Sequence, residues 1–417
     1  MKLKAGALQL VTFVVVVIAL LLAAFVLLLH VHRQFRIKSN HTIATVALVN
    51  TGIHTLLHNH IPLKDTVSVS LNDEAYKSLK VHRDFWGSFE KVHVKAKIKR
   101  STLGKTALVG NSIAKQNCPS LYLKDNNKPL VLVGQTTIKG EAHLPKRGVK
   151  SGNIAGQSYY GEHYIYGKTF ISKALPELNS AHLDYLKHLK EGNLNTITTD
   201  YINPKGQNLF KNAFENPLQR IYDPLDMVLA EVTMIGHIVI KSDTKITVHS
   251  TAHLTDVLLI APVIEIAANV SGSFQAFATE YIHIAKDVHL SYPSALVLQQ
   301  DDDEHPTTLP RGIVMDDNSS VSGQILVLGQ TQAHNYEAQL KISANALVEG
   351  LIYCEQNLEL RGTVYGAVYT DNFIIKEAGA VYQNHLFNAL IDANKLPSAF
   401  VSLDIGNSKK GVAKWLY

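Results

Sequence analysis

The feature of the sequence that most constrains its fold is a six-residue rhythm of apolar residues between Val228 and Leu296. Counting in sixes from Val228 to Val288 gives eleven positions, and all eleven are apolar. The row displaced by two residues, Ala230 to Leu296, has twelve positions, of which all but Ser242 are apolar or glycine. Because residues two apart on a strand point to the same face, each group of six predicts one short strand with two inward side chains.

Three such strands make a coil of 18 residues. The Ile-x-Val pair beginning at Ile246 and the Ile-x-Ile pairs beginning at Ile264 and Ile282 fall one coil apart. Stacked coils share one core, since each covers the apolar interior of its neighbour. The predicted fold class is therefore mainly β, a β-solenoid of about 18 residues per coil. The pattern leaves its handedness open.

Weaker hexads flank the main run. Four aliphatic-x-glycine pairs between Leu132 and Gly167 predict a first solenoid patch, since glycine tolerates the tight bend at a coil corner. The rhythm resumes in phase from Leu340 to Gly366, so we expect one interrupted stack.

The remaining segments are predicted from their composition and periodicity. Residues 181–189 predict a short helix, and the Asn/Pro/Gly-rich residues 191–220 predict a loop. Alternation from Val92 to Ile98 predicts a strand in a basic setting of Lys91, Lys95, Lys97, Lys99 and Arg100. We expect its lysines to lie together on a solvated face. In chain order, the predicted organisation is a membrane anchor and stalk helix (1–62), a small β-rich segment (63–125), the first solenoid patch (126–172), a helix and loop insertion (173–226), the main solenoid with an acidic loop at 299–312 (227–384), and a cap of helix and turn character over the last coil (385–417).

The N-terminal part predicts a membrane anchor. Residues 10–29 form a 20-residue apolar run interrupted by Thr12 alone, which is long enough to cross a bilayer as a helix. The run ends in leucines and His30, which is a poor signal-peptidase site, so we expect a retained single-pass span. Basic residues on its two sides nearly balance, so charge leaves the orientation open.

Residues 31–60 continue as a predicted helix up to Pro62. Val46, Val49, Ile53 and Leu56 are spaced by three and four residues and form one apolar stripe, which is typical of a stalk that packs on a domain or a partner helix.

The run Lys4-Ala5-Gly6-Ala7-Leu8, the hydrophobic span and the segment ending in Asn50-Thr51-Gly52-Ile53 resemble the start of type IV pilin-like proteins, such as minor pilins and pseudopilins. The resemblance implies cleavage by a prepilin peptidase between Gly6 and Ala7 on the cytoplasmic side. It also implies an extracytoplasmic C-terminal domain at the inner membrane or cell envelope, and partner helices of pilin type. Ala7 and Val11 stand where the family has Phe and Glu.

Two further families share six-residue repeats. The run Gly362 to Tyr369 and the sparse glycines are similar to bactofilins, which are polymer-forming solenoids, and this resemblance implies self-association. Hexapeptide-repeat acyltransferases use a histidine base, and five histidines fall on the repeats here: His237, His249, His253, His283 and His289. We expect these histidines to be surface residues.

Other chemical signals are sparse. A net charge of +5 without a Lys/Arg-rich run argues against nucleic acid as a partner, and two cysteines make no disulfide framework. Cys354 is predicted to be buried, and the sequence leaves open a disulfide between Cys354 and Cys118. It also leaves open metal binding by two sets of residues: His54, His58 and His60, or Asp301, Asp302 and Asp303.

The sequence therefore predicts a membrane-anchored structural or assembly protein of the cell envelope that is not an enzyme, and it assigns no cofactor, metal ligand or catalytic residue. The alternatives are a membrane-tethered hexapeptide-repeat acyltransferase and a glycan-binding envelope protein.

Overall fold

The computed structural model describes residues 5–58, 63, 66–69, 76–112, 119–190, 208–300, 311–330, 335–405 and 409–416. One long helix, α1 (Ala5–His58), contains both the predicted span and the predicted stalk. Val49, Ile53 and Leu56 are buried and Val46 is half-buried, which confirms the apolar stripe.

The rest of the described chain is mainly β, as predicted. Its elements, in chain order, are β1 (Thr66–Val69), β2 (Lys77–Trp86), β3 (Phe89–Ile98), β4 (Ser101–Ser112), β5 (Leu121–Leu123), β6 (Leu130–Val133), β7 (Thr137–Lys139), β8 (Ala142–Leu144), β9 (Val149–Ser151), β10 (Asn153–Ile154), β11 (Gln157–Ser158), β12 (Thr169–Ile171), α2 (Ser180–Lys190), β13 (Leu209–Asn212), β14 (Gln219–Asp223), β15 (Met227–Leu229), β16 (Thr233–Gly236), β17 (Ile238–Ser242), β18 (Lys245–Val248), β19 (His253–Ile266), β20 (Ser271–Ile284), β21 (His289–Gln299), β22 (Gly312–Met315), β23 (Ser320–Leu328), β24 (Leu340–Ile342), β25 (Leu347–Leu360), β26 (Thr363–Glu377), β27 (Ala380–Gln383), β28 (His385–Phe387), β29 (Leu390–Asp392), a 3₁₀ turn (Ala393–Lys395), β30 (Val401–Ser402) and β31 (Lys410–Leu416).

The chain divides into two compact units, and the division falls within β2, β3 and β4. Unit 1 comprises residues 1–82 and 93–105, and unit 2 comprises residues 83–92 and 106–417. The six-part organisation proposed from the sequence stays a prediction.

In unit 1 the end of α1 packs on β2 and β3. A side chain on Gly52 would place its Cβ 2.7 Å from Val94 Cγ1 and 2.9 Å from Leu79 Cδ1, so glycine permits the close approach of helix and strands. Strand β3 alternates as predicted: Val94, Ala96 and Ile98 are buried, whereas Lys95 and Lys97 are exposed. The predicted solvated face is wrong for Lys91, which is half-buried.

Most strands of unit 2 belong to one network of parallel pairs, which we call the parallel β-region (residues 119–171 and 209–392). Strand partners are about one predicted coil apart: Ile246 pairs with Ile264, and Ile264 pairs with Ile282. The strands therefore form successive layers on three faces, and the long strand β19 covers all three by pairing with β16, β17 and β18.

The inward side chains of these layers form one continuous aliphatic core. Ten of the eleven hexad positions from Val228 to Val288 are buried, whereas Val228, in the first layer, is 64% exposed. At a bulge in β19 the rhythm shifts by one residue, so Leu259 faces the core and Leu258 faces the opposite side. All the hexad residues from Leu340 to Gly366 are buried, as predicted.

The order of the layers differs from the order of the chain. Residues 121–171 do not precede β13 in the stack but continue it beyond β26: β5 pairs with β26, β8 with β5, and β12 with β8. The layer next to β26 therefore combines β5 from the N-terminal side with β28 and β29 from the C-terminal side, which pair onward with β6 and β7.

Two sequence predictions are wrong here. Residues 209–212 and 219–223, predicted as loop, are the strands β13 and β14 of the first layer. Residues 385–417 are mostly strands: β28 and β29 belong to the stack, while β30 and β31 pair antiparallel with β4. The strands in residues 385–417 were not predicted because short strands with turns between them lack a long period in the sequence. The predicted helix 181–189 is confirmed as α2.

The glycines of the N-terminal patch act at corners, as expected. Gly140 has a φ of +121°, and a Cβ on Gly167 would lie 2.0 Å from the Gly140 carbonyl oxygen. A larger residue at either position would force neighbouring layers apart.

One face of the parallel β-region is covered by a second layer, and we call it the covered face. It comprises β14, β17 and the matching segments of the later layers up to β12. A second apolar cluster joins its outward side chains to residues of the 83–92 hairpin, α2, β4 and the C-terminal strands, including Trp86, Phe89, Leu186, Phe400 and Leu416.

Shortening one inward side chain tests the layered core. Ile282 is fully buried between its partners Ile264 and Ile313. We expect Ile282→Ala to lower the free energy of unfolding by about 2–5 kcal/mol, because it removes apolar contact and leaves a cavity. Urea unfolding of the full chain in detergent measures this. The control Lys286→Ala, at an exposed position, should change it by less than about 0.5 kcal/mol. Equal effects would contradict the layered core.

Candidate functional site

The most distinctive surface is the first part of α1. Large apolar residues from Leu8 to Ile37 are exposed on every side of the helix, and none of its 18-residue apolar stretch is buried. Residues 5–29 contain no charged side chain. The Thr12 hydroxyl donates to the Leu8 carbonyl at 2.8 Å, which satisfies the one hydroxyl in the span.

A helix that is apolar all round is stable in lipid or among other apolar helices. Among the residues that the structure describes, one helix is therefore long and apolar enough to cross a membrane. The predicted processing residues Gly6 and Ala7 lie in its first described turns, and nothing lies within 4 Å of a Cβ placed on Gly6. Whether the chain is cleaved there stays a prediction.

The candidate metal ligands do not come together among the residues that the structure describes. His54 and His58 stack with ring centroids 4.1 Å apart, and His58 Nδ1 contacts the His54 carbonyl at 2.8 Å. His60 and Asp301–Asp303 lie outside the described residues, as does Cys118. Within the described ranges, no group of three or more His, Cys, Asp or Glu could hold a metal ion.

The surface prediction for the five repeat histidines is wrong for His237. This residue is buried against Trp86 and Phe214, with ring centroids 5.0 Å away in both cases. Lys91 Nζ lies 3.2 Å from Nε2, and the Asn216 carbonyl lies 3.0 Å from Nδ1. An ammonium group can only donate, so Nε2 accepts and Nδ1 carries the proton. Burial, with the charge of Lys91, lowers the pKa of His237 to about 4.

The other four repeat histidines are exposed or half-buried, as predicted. His283 Nε2 lies 3.1 Å from Asp316 Oδ2, and His289 Nδ1 lies 2.8 Å from Ser320 Oγ. Glu265 is a strand partner of His283, and Ser320 is a strand partner of His289. Neither histidine lies opposite another histidine on a neighbouring strand.

A buried polar network attaches the tip of the 83–92 hairpin to the covered face. Gln275 Oε1 accepts from the Ser88 amide at 2.8 Å, and Gln275 Nε2 donates to the Trp86 carbonyl at 2.9 Å. Two layers along, Gln324 Nε2 donates to Ser88 Oγ at 2.6 Å and its Oε1 accepts from the Leu403 amide at 2.8 Å. Since these groups are buried, each bond also prevents an unsatisfied polar group.

A buried ion cluster lies at the base of the same hairpin. Arg83 donates two hydrogen bonds to Glu90, at 2.8 and 2.6 Å, and Lys410 Nζ lies 2.6 Å from Glu90 Oε1. Burial alone would raise the pKa of Glu90, but the Arg83 hydrogen bond and the two positive charges outweigh it and hold that pKa below its usual value.

A cleft of about 620 Å³ lies between α2, its preceding segment and the covered face. Its polar lining includes Lys124, Tyr353, Glu355 and Asp371. Glu355 Oε2 accepts from the Gly329 amide at 2.9 Å, Tyr353 Oη lies 3.4 Å from Glu355 Oε1, and Lys124 pairs with Asp371 at 3.1 Å. Burial raises the pKa of Glu355. These partners hold the polar groups of the cleft in place.

Cys354 is fully buried in the aliphatic core, and burial raises the pKa of its thiol to about 12. It is therefore a small core residue at neutral pH, as predicted.

The covered face was not among the features predicted from the sequence, although a signal for it is present. Residues 257–261, 295–298 and 325–328 are continuous apolar runs, which are typical of strands buried on both sides. The six-residue rhythm includes only every second residue of these runs, so it predicts the inward face of each strand and not the outward one.

No protein-family model matches the chain, and no curated protein matches it. Among solved structures, the competence-associated pilin ComZ from Thermus thermophilus matches with 9% identity and a TM-score of 0.25, over 90% of this chain and 97% of that chain. A TM-score this low does not establish a shared fold.

The buried histidine makes stability depend on pH. The folded-state pKa of His237 is about 4, against an ordinary 6.5 in the unfolded chain, so its contribution is present above pH 6.5 and is lost as the pH falls toward 4. We expect His237→Asn to reduce the loss of unfolding free energy between pH 7.5 and 4.5 by about 2–3 kcal/mol. Urea unfolding at both pH values measures this difference. The exposed control His253→Asn should leave the loss unchanged, and an equally steep loss in His237→Asn would contradict the buried neutral state.

Proposed function

We propose that the protein is a membrane-anchored structural or assembly protein of the cell envelope. One observation carries this proposal: the first half of α1 is apolar and exposed on all sides, while the end of the same helix is buried in unit 1. A helix built this way can hold a folded domain at a membrane, or pass it from the membrane into a bundle of similar helices.

The parallel β-region is proposed to be a β-solenoid that supplies a rigid body. Three observations support this. Ile246, Ile264 and Ile282 are strand partners 18 residues apart, the layers lie on three faces, and their inward side chains form one continuous aliphatic core. A body with so many layers in contact suits a mechanical or interfacial role.

The pilin-like route is the finer part of the proposal. It rests on the Gly6-Ala7 pair ahead of the apolar span, and on a span that continues into a stalk without interruption. By this route, a peptidase cuts after Gly6, partner helices pack along α1, and the C-terminal domain lies outside the inner membrane.

The protein is proposed to act without catalysis. The polar cleft at Glu355 has its carboxylates engaged by a backbone amide and a lysine, which suits a fixed structure. The described histidines of the repeats give no specific support to the acyltransferase alternative.

Membrane insertion tests the anchor. We expect Leu21→Arg to reduce the share of the chain that resists alkaline carbonate extraction from membranes several-fold, because a charge at the centre of a span costs about 2.5–3.5 kcal/mol on insertion. The matched control is Ile43→Arg, which changes a residue of equal exposure (65%, as Leu21) beyond the apolar run. It should stay membrane-bound. A wild-type chain that is fully extracted by carbonate would overturn the anchor.

The mature N-terminus tests the pilin-like route. We expect N-terminal sequencing of the chain from its host's membranes to begin at Ala7, and Gly6→Val to keep the full-length N-terminus because the peptidase requires the glycine. A wild-type chain that retains Met1 would leave the anchor in place but refute this route.

A further inference from the structure

The stack ends at β12, which has a strand on one side alone among the residues that the structure describes. Strand β12 pairs with β8. Ile171 lies opposite Leu144 and continues the inward row, yet Ile171 is 66% exposed whereas Leu144 is buried. Phe170 continues the outward row: one face of its ring stacks on His143 at 5.3 Å between centroids, and the side chain is 46% exposed. The last layer therefore lacks the neighbour that covers each inner layer.

The backbone of β12 is open on the same side. The Ser172 amide donates to the Leu144 carbonyl at 2.8 Å, and the Lys168 carbonyl accepts an amide of β8 at 2.9 Å. Because alternate residues of a parallel strand bond to the same neighbour, the amides and carbonyls of Thr169 and Ile171 point away from β8. A strand edge of this kind can accept a further strand.

The segment that leads to this edge exposes several aromatic rings. Tyr160 is 68% exposed, Tyr164 is 39% exposed and Tyr166 is 40% exposed. Together with Phe170 and Ile171, they make five large side chains with exposed apolar surface between positions 160 and 171. Apolar surface concentrated in this way marks an interaction site.

The same end of the stack is positively charged. Residues 145–173 have a net charge of +4, because Glu162 is their one acidic residue against five basic ones: Lys146, Arg147, Lys150, Lys168 and Lys173. All six are exposed, and none of the five basic side chains forms an ion pair with a described residue. Glu141, which precedes β8, contacts His143 at 3.1 Å. Lys168 and Lys173 flank β12 directly, so the open edge lies in a basic setting.

The open strand edge favours a peptide over a lipid surface as the partner. A lipid surface also attracts basic and aromatic side chains, but its hydrocarbon offers no partners for the outward amides and carbonyls of β12. An added strand satisfies these groups with its own backbone. A second copy that met the first β12 to β12 would bring like charges together at Lys168 and Lys173, so the fitting partner is an acidic chain.

We infer that β12 accepts an extended acidic segment of a partner protein, which adds to the stack as its next strand. Side chains alternate along a strand, so an apolar residue of the segment would cover Ile171 while a carboxylate on its other face would pair with Lys168. The inference goes beyond the proposed function by naming a partner surface on unit 2. Its failure would leave the membrane anchor untouched, because the anchor depends on α1 alone.

Peptide binding to the full-length chain, in a neutral detergent at low salt, tests this surface. The probe is a fluorescent peptide of about nine residues in which valine and glutamate alternate. We expect saturable binding by fluorescence anisotropy. A peptide with lysine in place of glutamate should bind at least about tenfold more weakly, because like charges then meet. Methylation of the backbone nitrogens should weaken binding at least about tenfold at unchanged charge, because the strand loses its amide donors.

Charge variants show whether the binding involves the basic setting of β12. Lys168→Glu combined with Lys173→Glu should weaken binding of the glutamate peptide about tenfold at low salt. The same variant should strengthen binding of the lysine peptide, which a misfolded chain would not do. The control Lys286→Glu, at an exposed position between β20 and β21, should leave the binding of both peptides unchanged.

A matched pair of variants tests the strand edge itself. Ile171→Pro removes one outward amide, and proline is tolerated at a strand edge where the amide has no partner in the sheet. We expect it to weaken binding of the glutamate peptide at least about fivefold relative to Ile171→Val, with the circular dichroism spectrum unchanged.

Three results would count against the inference. Equal binding of the methylated and unmodified peptides would refute strand addition, and an equal loss of binding in Lys286→Glu would refute the location at β12. Absence of peptide binding would overturn the inference altogether, and attachment of the same chain to vesicles containing phosphatidylglycerol would then assign the surface to lipid.

Discussion

The structure of unit 2 depends on contact between successive layers of parallel strands. Each layer has inward aliphatic side chains and backbone groups along two edges, and both are satisfied only when a neighbouring layer lies on each side. This constraint explains the composite layer next to β26, in which β5 from one side of the chain joins β28 and β29 from the other. The last long strand is covered by residues that are far from it in sequence, so the body forms from both parts together.

The second layer on the covered face adds a different kind of interaction. Apolar contact supplies most of its burial, but Gln275 and Gln324 define where the 83–92 hairpin lies, because their amides match the polar backbone of Trp86 and Ser88. The Arg83–Glu90–Lys410 cluster holds the base of the same hairpin. Buried polar groups of this sort cost free energy unless every partner is present, so they favour one position of the hairpin over others.

The two units use apolar surface for opposite purposes. In the parallel β-region it is turned inward and shared between layers, whereas in the first half of α1 it faces outward on all sides of the helix. Both features fit the structural role that we propose. The chemistry-bearing side chains agree with that role: His237, Glu90 and Cys354 are buried among fixed partners, in positions where they contribute to stability.

The sequence alone determined the long apolar helix, the stripe from Val46 to Leu56, α2, and the inward rows of the parallel strands, because local periodicity decides which side chains can be buried together. It did not reveal that residues 121–171 stack beyond β26, that β13 and β14 form the first layer, or that His237 lies beneath Trp86. These features depend on pairings between residues tens to hundreds of positions apart. A period in the sequence shows that a strand needs a neighbour, but the identity of that neighbour is decided when the layers pack.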